Sequence, residues 1–189
     1  MNQTDKSIFL KGETIQLRAL QVSDIEGSYA RWLNDPEITL YNSHGRYPVT
    51  APELARFVEN ALSSKTSLVM AIIDIATGKH IGNISLQGIN WIDRSAEIAF
   101  ILGEKDYWGK GVMYEAGNLI MNHGFRQLNL HRVHCGTSSE NKGMQKLAEK
   151  LGMKQEGIRR EALFKNGAYF DVIEYGVLAS EFVTDTIKI

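Results

Sequence analysis

The stretch Ala96-Glu-Ile-Ala-Phe-Ile-Leu-Gly103, followed after a short connection by Trp108-Gly-Lys-Gly-Val-Met113, decides the reading of this chain. The first segment has the character of a strand, and the second is a glycine-containing turn that feeds a helix. Such a junction leaves several main-chain N–H groups pointing outward. The helix start adds roughly half a positive charge, so a phosphate can sit there without a dedicated cation. Glycine also removes the Cβ that would hold a diphosphate away. A second reading, in which Gly109 and Gly111 simply turn the chain, stands beside the first. Two familiar phosphate loops are excluded: Lys110 is followed by Gly111 rather than Ser or Thr, and Tyr114 stands where GxGxxG needs its third glycine.

Working outward, residues 112–127 read as a helix with Val112, Ala116, Leu119 and Ile120 on one side. Residues 131–139 read as a strand, and 141–151 as a short helix closed by Gly152. Asn166-Gly167 marks a closing hairpin. On the N-terminal side, runs at 68–75, 80–88 and 96–102 form an antiparallel meander turned at Thr77-Gly78 and at 90–94. Residues 14–20 alternate as a strand does. Ser23-Asp-Ile-Glu26 and Thr50-Ala-Pro-Glu53 both read as capping boxes, the first opening a helix to about Asn34, the second one carrying Leu54, Phe57, Val58 and Leu62. Pro36, Pro48 and Pro52 cluster in a long irregular connection between them. The order β-α-α-β-β-β-α-β-α-β-β implies an α/β fold (α+β by a stricter definition), a mixed, mostly antiparallel sheet with one parallel pair and flanking helices.

The chain has 189 residues, 43% of them apolar, and no visible linker, so one domain over residues 1–189 is expected. Lys and Arg number 21 against 22 Asp and Glu, a balance without the electrostatic footprint of a nucleic-acid or membrane binder. One cysteine, Cys135, excludes an internal disulfide and fits a reducing, cytoplasmic setting. No apolar run is long enough for a signal peptide or a membrane span. His131, His134 and Cys135 lack metal-ligand spacing, so no metal is expected. The sequons Asn2-Gln-Thr4 and Asn83-Ile-Ser85 carry no meaning in that compartment. Trp32, Trp91 and Trp108 read as packing residues.

Taken in order, Ala96-Glu-Ile with Tyr107-Trp-Gly-Lys-Gly111, Ser139-Glu-Asn141, Lys146-Leu-Ala-Glu-Lys-Leu-Gly-Met153, and Glu156-Gly-Ile with Asn166-Gly-Ala-Tyr-Phe-Asp171 make the chain resemble the Gcn5-related N-acetyltransferases (GNAT), in the branch of the ribosomal RimJ and RimL enzymes. Asn34-Asp-Pro-Glu37 also belongs to that pattern. The resemblance covers about residues 14–178 and implies the acyl-CoA N-acyltransferase fold, with a central splayed parallel pair, and acetyl-CoA as co-substrate. It assigns Trp108, Gly109, Lys110, Gly111, Val112 and Met113 to the CoA diphosphate, and Ile101, Leu102 and Gly103 to the pantetheine arm. Asn141 would touch the arm from the other side, or only cap its helix. Trp108 and Met113 depart from the family loop, which has Gln or Arg first and a small residue last.

Acetyl transfer to an amine needs a base, because a free amine is mostly protonated at pH 7. Glu97 matches the glutamate that many relatives use and lies in an otherwise apolar run, where partial desolvation would suit a general base. A salt bridge to a neighbour such as Arg94 is the other reading. The hydroxyls that relatives use as acid are absent, with Met144 and Ala148 in their places. Tyr107, Ser138 or water stand as substitutes. Arg159-Arg160 read as a solvated edge. Direct attack in a ternary complex follows, with the acceptor entering beside residues 35–48 and the hairpin 162–170. A small-molecule amine or nucleotide-linked amino sugar is favoured, the latter from Gly82-Asn-Ile84 and Asn90-Trp-Ile-Asp93; a peptide N-terminus is the alternative. A non-catalytic acyl-CoA-binding module and a small NAD(P)-binding reductase are the rival classes, and a homodimer is an open expectation.

Overall fold

The protein is described from a computed structural model over residues 8–183. Eight strands form one sheet in the order β1-β2-β3-β4-β5-β6-β8-β7. They are β1 (Leu10–Lys11), β2 (Ile15–Ala19), β3 (Leu68–Asp74), β4 (His80–Asn90), β5 (Ser95–Leu102), β6 (Arg132–Ser138), β7 (Lys154–Lys165) and β8 (Ala168–Leu178). Every neighbouring pair is antiparallel except β5 and β6, the two strands joined through a helix. That is the mixed, open sheet expected from the element order. Only β1 was not foreseen, since two residues are too few to show alternation. The sequon Asn2-Gln-Thr4 lies outside the described residues.

Two helices cover one face of the sheet: α3 (Val112–Arg126) and α4 (Lys142–Lys150). Val112, Ala116, Leu119 and Ile120 of α3 and Ala148 of α4 bury their apolar stripes against Ile84, Ile98, Val133 and Cys135. On the opposite face, α1 (Ala30–Asn34) and α2 (Ala51–Ser63) pack Trp32, Leu33, Leu54 and Val58 against Ala71 and Ile73 of β3. This second layer stops short of β5's N-terminal half. The sheet face around Glu97 is consequently left open.

The capping box at Thr50 forms as read, with Glu53 Oε2 accepting from the Thr50 amide at 3.1 Å. Along α2 only Leu54 and Val58 are buried, while Phe57 and Leu62 are exposed. The box at Ser23 does not form. Asp24 is instead drawn into a buried ion pair with Arg18, and its Oδ2 accepts from the Gln21 amide at 2.8 Å. The chain therefore turns earlier, in a 3-10 turn at Val22–Asp24. A wide π-type segment follows at Ile25–Tyr29, where Gly27 leaves helical geometry, and regular α-helix begins only at Ala30. At the other end, Asn166 and Gly167 both take positive φ, 51° and 80°, as the two-residue hairpin requires.

Candidate active site

The site begins with a strand pair that comes apart. β5 and β6 are bridged only at Ser95↔Arg132, Ala96↔Val133 and Glu97↔His134. Beyond that point β5 stays with β4 as far as Leu102, and β6 stays with β8 as far as Ser138. A wedge opens between them. The Gly103 N–H donates to the Ile81 carbonyl at 3.0 Å, and main-chain groups alternate along a strand. Ile101 therefore faces β4, while Phe100 and Leu102 turn their main-chain groups into the wedge.

Of the three strand-end residues expected to meet a pantetheine arm, Leu102 alone is so placed. Gly103 has a different reason to be glycine, because a Cβ there would lie 1.9 Å from the Trp32 ring. Phe100, which sequence reading did not single out, presents its main chain to the wedge as Leu102 does. Counting parity back from the glycine turn is the signal that finds it.

The loop after β5 sorts its amides in the same way. The Trp108 N–H bonds the Lys105 carbonyl and the Lys110 N–H bonds the Tyr107 carbonyl, both closing the turn. The amides of Gly109, Gly111, Val112 and Met113 have no protein acceptor among the described residues. Gly109 (φ 74°) and Gly111 (φ 81°) are left-handed, and a Cβ on either would meet only open space. Four free donors at the start of a 15-residue helix, with nothing standing over them, fit a diphosphate. Met113, the awkward departure from the family loop, packs its side chain against the main core. Trp108 donates its indole N–H to the Leu102 carbonyl at 3.1 Å and so ties the loop to the wedge edge. The Lys110 ammonium lies 5.6 Å from the Tyr107 ring centre. Asn141 caps α4, its Oδ1 accepting from the Met144 amide at 3.1 Å.

Glu97 stands at the apex of the wedge, between Gln87 on β4 and His134 on β6. It is exposed, so the desolvation read from its apolar neighbours does not occur. The apolar residues beside it in sequence, Ala96 and Ile98, point to the opposite face, and α1 and α2 do not reach over it. No ion pair to Glu97 forms among the described residues; Arg94 turns to Asn129 instead, at 3.4 Å.

The nearby arginines on this face are committed, Arg132 to Glu156 and Arg159 to Glu174. Among the substitute acids, the Tyr107 hydroxyl donates to Asp74 at the edge of β3, 3.0 Å away. Ser138 is buried and its Oγ accepts from the Glu140 amide. Cys135 is core as read, and burial pushes its thiol up to about 12. Among the described residues, no group of three or more His, Cys, Asp or Glu side chains converges as a metal site would require. No helix there is long and apolar enough to cross a membrane.

Residues 14–154 match the Acetyltransferase (GNAT) domain family. The N-acetyltransferase-named YjcK of Bacillus subtilis (strain 168) is 30% identical over 169 residues, covering 86% of this chain and 92% of its own. The spermidine N(1)-acetyltransferase of Vibrio cholerae is 33% identical over 112 residues, 59% of this chain and 64% of that protein. A crystal structure of the spermidine N-acetyltransferase from Vibrio cholerae, in complex with CoA and spermine, superposes with a TM-score of 0.82 at 28% identity, covering 89% of this chain and 97% of that one. RimL, a ribosomal L7/L12 alpha-N-protein acetyltransferase solved with CoA, shares the fold at a TM-score of 0.79 and 20% identity, over 88% of this chain and 95% of its own.

Proposed function

The chain belongs to the GNAT family and is an acetyl-CoA-dependent N-acetyltransferase, and on that premise we propose that its acceptor is a small, positively charged primary amine of the linear alkylamine kind. The observation that carries this reading is Glu97: a carboxylate at the wedge apex, open to solvent and without a cationic partner among the described residues. Such a group attracts a protonated amine and then receives its proton, directly or through one water. Acetyl-CoA supplies the acyl group as a thioester, together with a thiolate able to leave.

The chain's own contributions are positional. The free amides at Gly109, Gly111, Val112 and Met113 would hold the diphosphate. The main-chain groups of Phe100 and Leu102 would orient the arm as an added strand orients on an open edge. Asn141, already spent in part as a cap, keeps its side-chain N–H₂ for the opposite side. With the Tyr107 hydroxyl donating to Asp74, water and Ser138, whose Oγ only accepts from the Glu140 amide, are the acids left, and a thiol near pKa 8.5 needs little help. The relatives that act on spermidine support the amine class.

A nucleotide-linked amino sugar finds less support. The turn at residues 90–93 that suggested it is closed on itself by Asn90 and Asp93, 2.7 Å apart, and Trp91 is tied to the Lys65 carbonyl. It also lies at the closed end of the wedge. The chain is taken to act as a single acetyltransferase domain.

The test is free-CoA release from acetyl-CoA against linear diamines and polyamines, amino sugars and peptides with free N-termini. Turnover strongest with the linear amines is expected. Turnover confined to peptides or amino sugars would overturn the acceptor class. A reductase would be stabilised by NAD(P) and not by acetyl-CoA. A GNAT enzyme held at a hundred times its Kd of acetyl-CoA should gain about 2.7 kcal/mol.

A further inference from the structure

β6 sets His134 beside Glu97. The two residues form the last bridge of the parallel pair, just where the wedge begins to open. The residues before them, Ala96 and Val133, are buried together in the main core, so by alternation Glu97 and His134 both turn to the open face. Neighbouring strands lie about 4.8 Å apart, which puts the imidazole and the carboxylate side by side. The imidazole is half-buried and makes no hydrogen bond or ion pair among the described residues.

The other charges around His134 are already balanced. His134 pairs with Gly176 of β8, and the Arg132–Glu156 ion pair lies over that glycine. A Cβ there would come within 2.7 Å of the guanidinium and 2.6 Å of the carboxylate. The hydrogen bonds from Arg132 outweigh burial and hold the Glu156 carboxyl below its usual range, with the charge of His134 a lesser influence. Two residues further along β6, Gly136 faces Glu174, which Arg159 holds. On β4, Gln87 flanks Glu97 from its far side. Helices α1 and α2 stop short of this surface. Of the three carboxylates, Glu97 alone lacks a cation among the described residues.

Amine acetylation gives such a neighbour work that Glu97 cannot do. The nitrogen of a protonated primary amine gives up two protons on its way to an amide, one before attack and one as the tetrahedral adduct collapses. Glu97 takes the first. The nitrogen lone pair then forms the C–N bond, and the carbonyl electrons move to oxygen. When they return, the C–S bond breaks and the thiolate leaves with its electron pair. The second proton must go at this stage, and Glu97 already carries one. We infer that His134 is the second proton acceptor, taking that proton on an imidazole nitrogen, directly or through one water, and releasing it to solvent at the open face. The inference rests on the reading of Glu97 given above, and not on the class of amine.

The test uses the best acceptor of the panel above, whatever its class, and counts acetylated amine at saturating acetyl-CoA. His134→Gln should lower kcat about 10²-fold at neutral pH. It should also remove from the kcat profile the acid-side limb of an imidazole, a group that titrates ordinarily near 6.5. Acetyl-CoA affinity and melting temperature should stay as in wild type. Added imidazole, entering from the open face, should restore about tenfold of the rate lost in His134→Ala and nothing in Glu97→Gln. A kcat near wild type in His134→Gln would overturn the proposal. So would a lowered kcat with the acid limb intact and no rescue of His134→Ala, the signature of a merely structural role. Wild-type kinetics in Glu97→Gln, with both His134 variants behaving as expected, would refute the reading of Glu97 and leave His134 as a proton acceptor.

Discussion

Asp24 and Glu97 are two carboxylates on the same side of one sheet with opposite fates. Asp24 is buried, its Oδ1 bonded to Arg18 Nη2 at 2.6 Å and its Oδ2 to Arg18 Nη1 and to the Gln21 amide, each at 2.8 Å. Burial draws its pKa upward, but the Arg18 guanidinium and the Gln21 amide outweigh burial and hold it below 3.8. His80 stands beside it, its Nδ1 3.6 Å from Asp24 Oδ1, and burial keeps that imidazole below its usual pKa despite the carboxylate. Glu97 is exposed and has no ion-pair partner among the described residues. The difference teaches where this chain spends its polar groups on stability and where it leaves them for a ligand.

Replacing each carboxylate's function should therefore give contrasting phenotypes. Glu97→Gln should lower kcat by about 10²–10⁴-fold while leaving acetyl-CoA affinity and the melting temperature unchanged; steady-state kinetics with calorimetric titration would show it. A kcat near wild type would make Glu97 a bystander. Arg18→Met should do the reverse, destabilising the fold by about 3–5 kcal/mol because it strands Asp24 as a buried unpaired charge. Urea unfolding measures that loss. A cost below 1 kcal/mol would mean that the pair is replaceable.

Acid should loosen the buried cluster first. A group whose pKa is lower in the folded state stabilises the protein above its unfolded pKa and loses that effect as pH falls. Unfolding free energy should thus decline below pH 6.5 as the unfolded chain gains the protons that burial disfavours on His80, His44 and His123, and again below 3.8 as Asp24 is affected. His80→Gln should reduce the first decline, leaving the part due to His44 and His123. Smallest is Gly111→Ala, where a Cβ at φ 81° costs about 1–2 kcal/mol of backbone strain and tilts a free amide. Its signature should be a weaker acetyl-CoA affinity with kcat little changed.

Much of this was legible in the residues. The element order, the Thr50 cap and the Asn166-Gly167 turn are local signals, each set by neighbours within a few positions. The glycine loop could be placed for the same reason, and the core reading of Cys135 followed from its alternation with Val133. What could not be read depends on distant partners. The expected Ser23–Glu26 box did not form because Asp24, paired with Arg18 at the end of β2, caps the chain from Gln21 instead, a tertiary contact that no helix-start pattern shows. Glu97 could not be judged exposed from an apolar run, because alternation sends Ala96 and Ile98 to the other face and the covering helices stop short of β5's N-terminal half. Gly103 looked like part of a cofactor strand, whereas Trp32, seventy residues away in sequence, requires its missing side chain. The 35–48 connection was visible as a proline-marked irregular segment, but the hydrogen bonds it accepts from Lys165 join positions more than a hundred residues apart.

Backbone-amide hydrogen exchange by NMR, with and without acetyl-CoA, bears most directly on the claim that unpaired main chain grips the co-substrate. Protection should appear at Leu102, Gly109, Gly111, Val112 and Met113, while Trp108 and Lys110, already bonded within the turn, stay unchanged. Binding that leaves those five amides as exposed as before, and protects another surface, would contradict it.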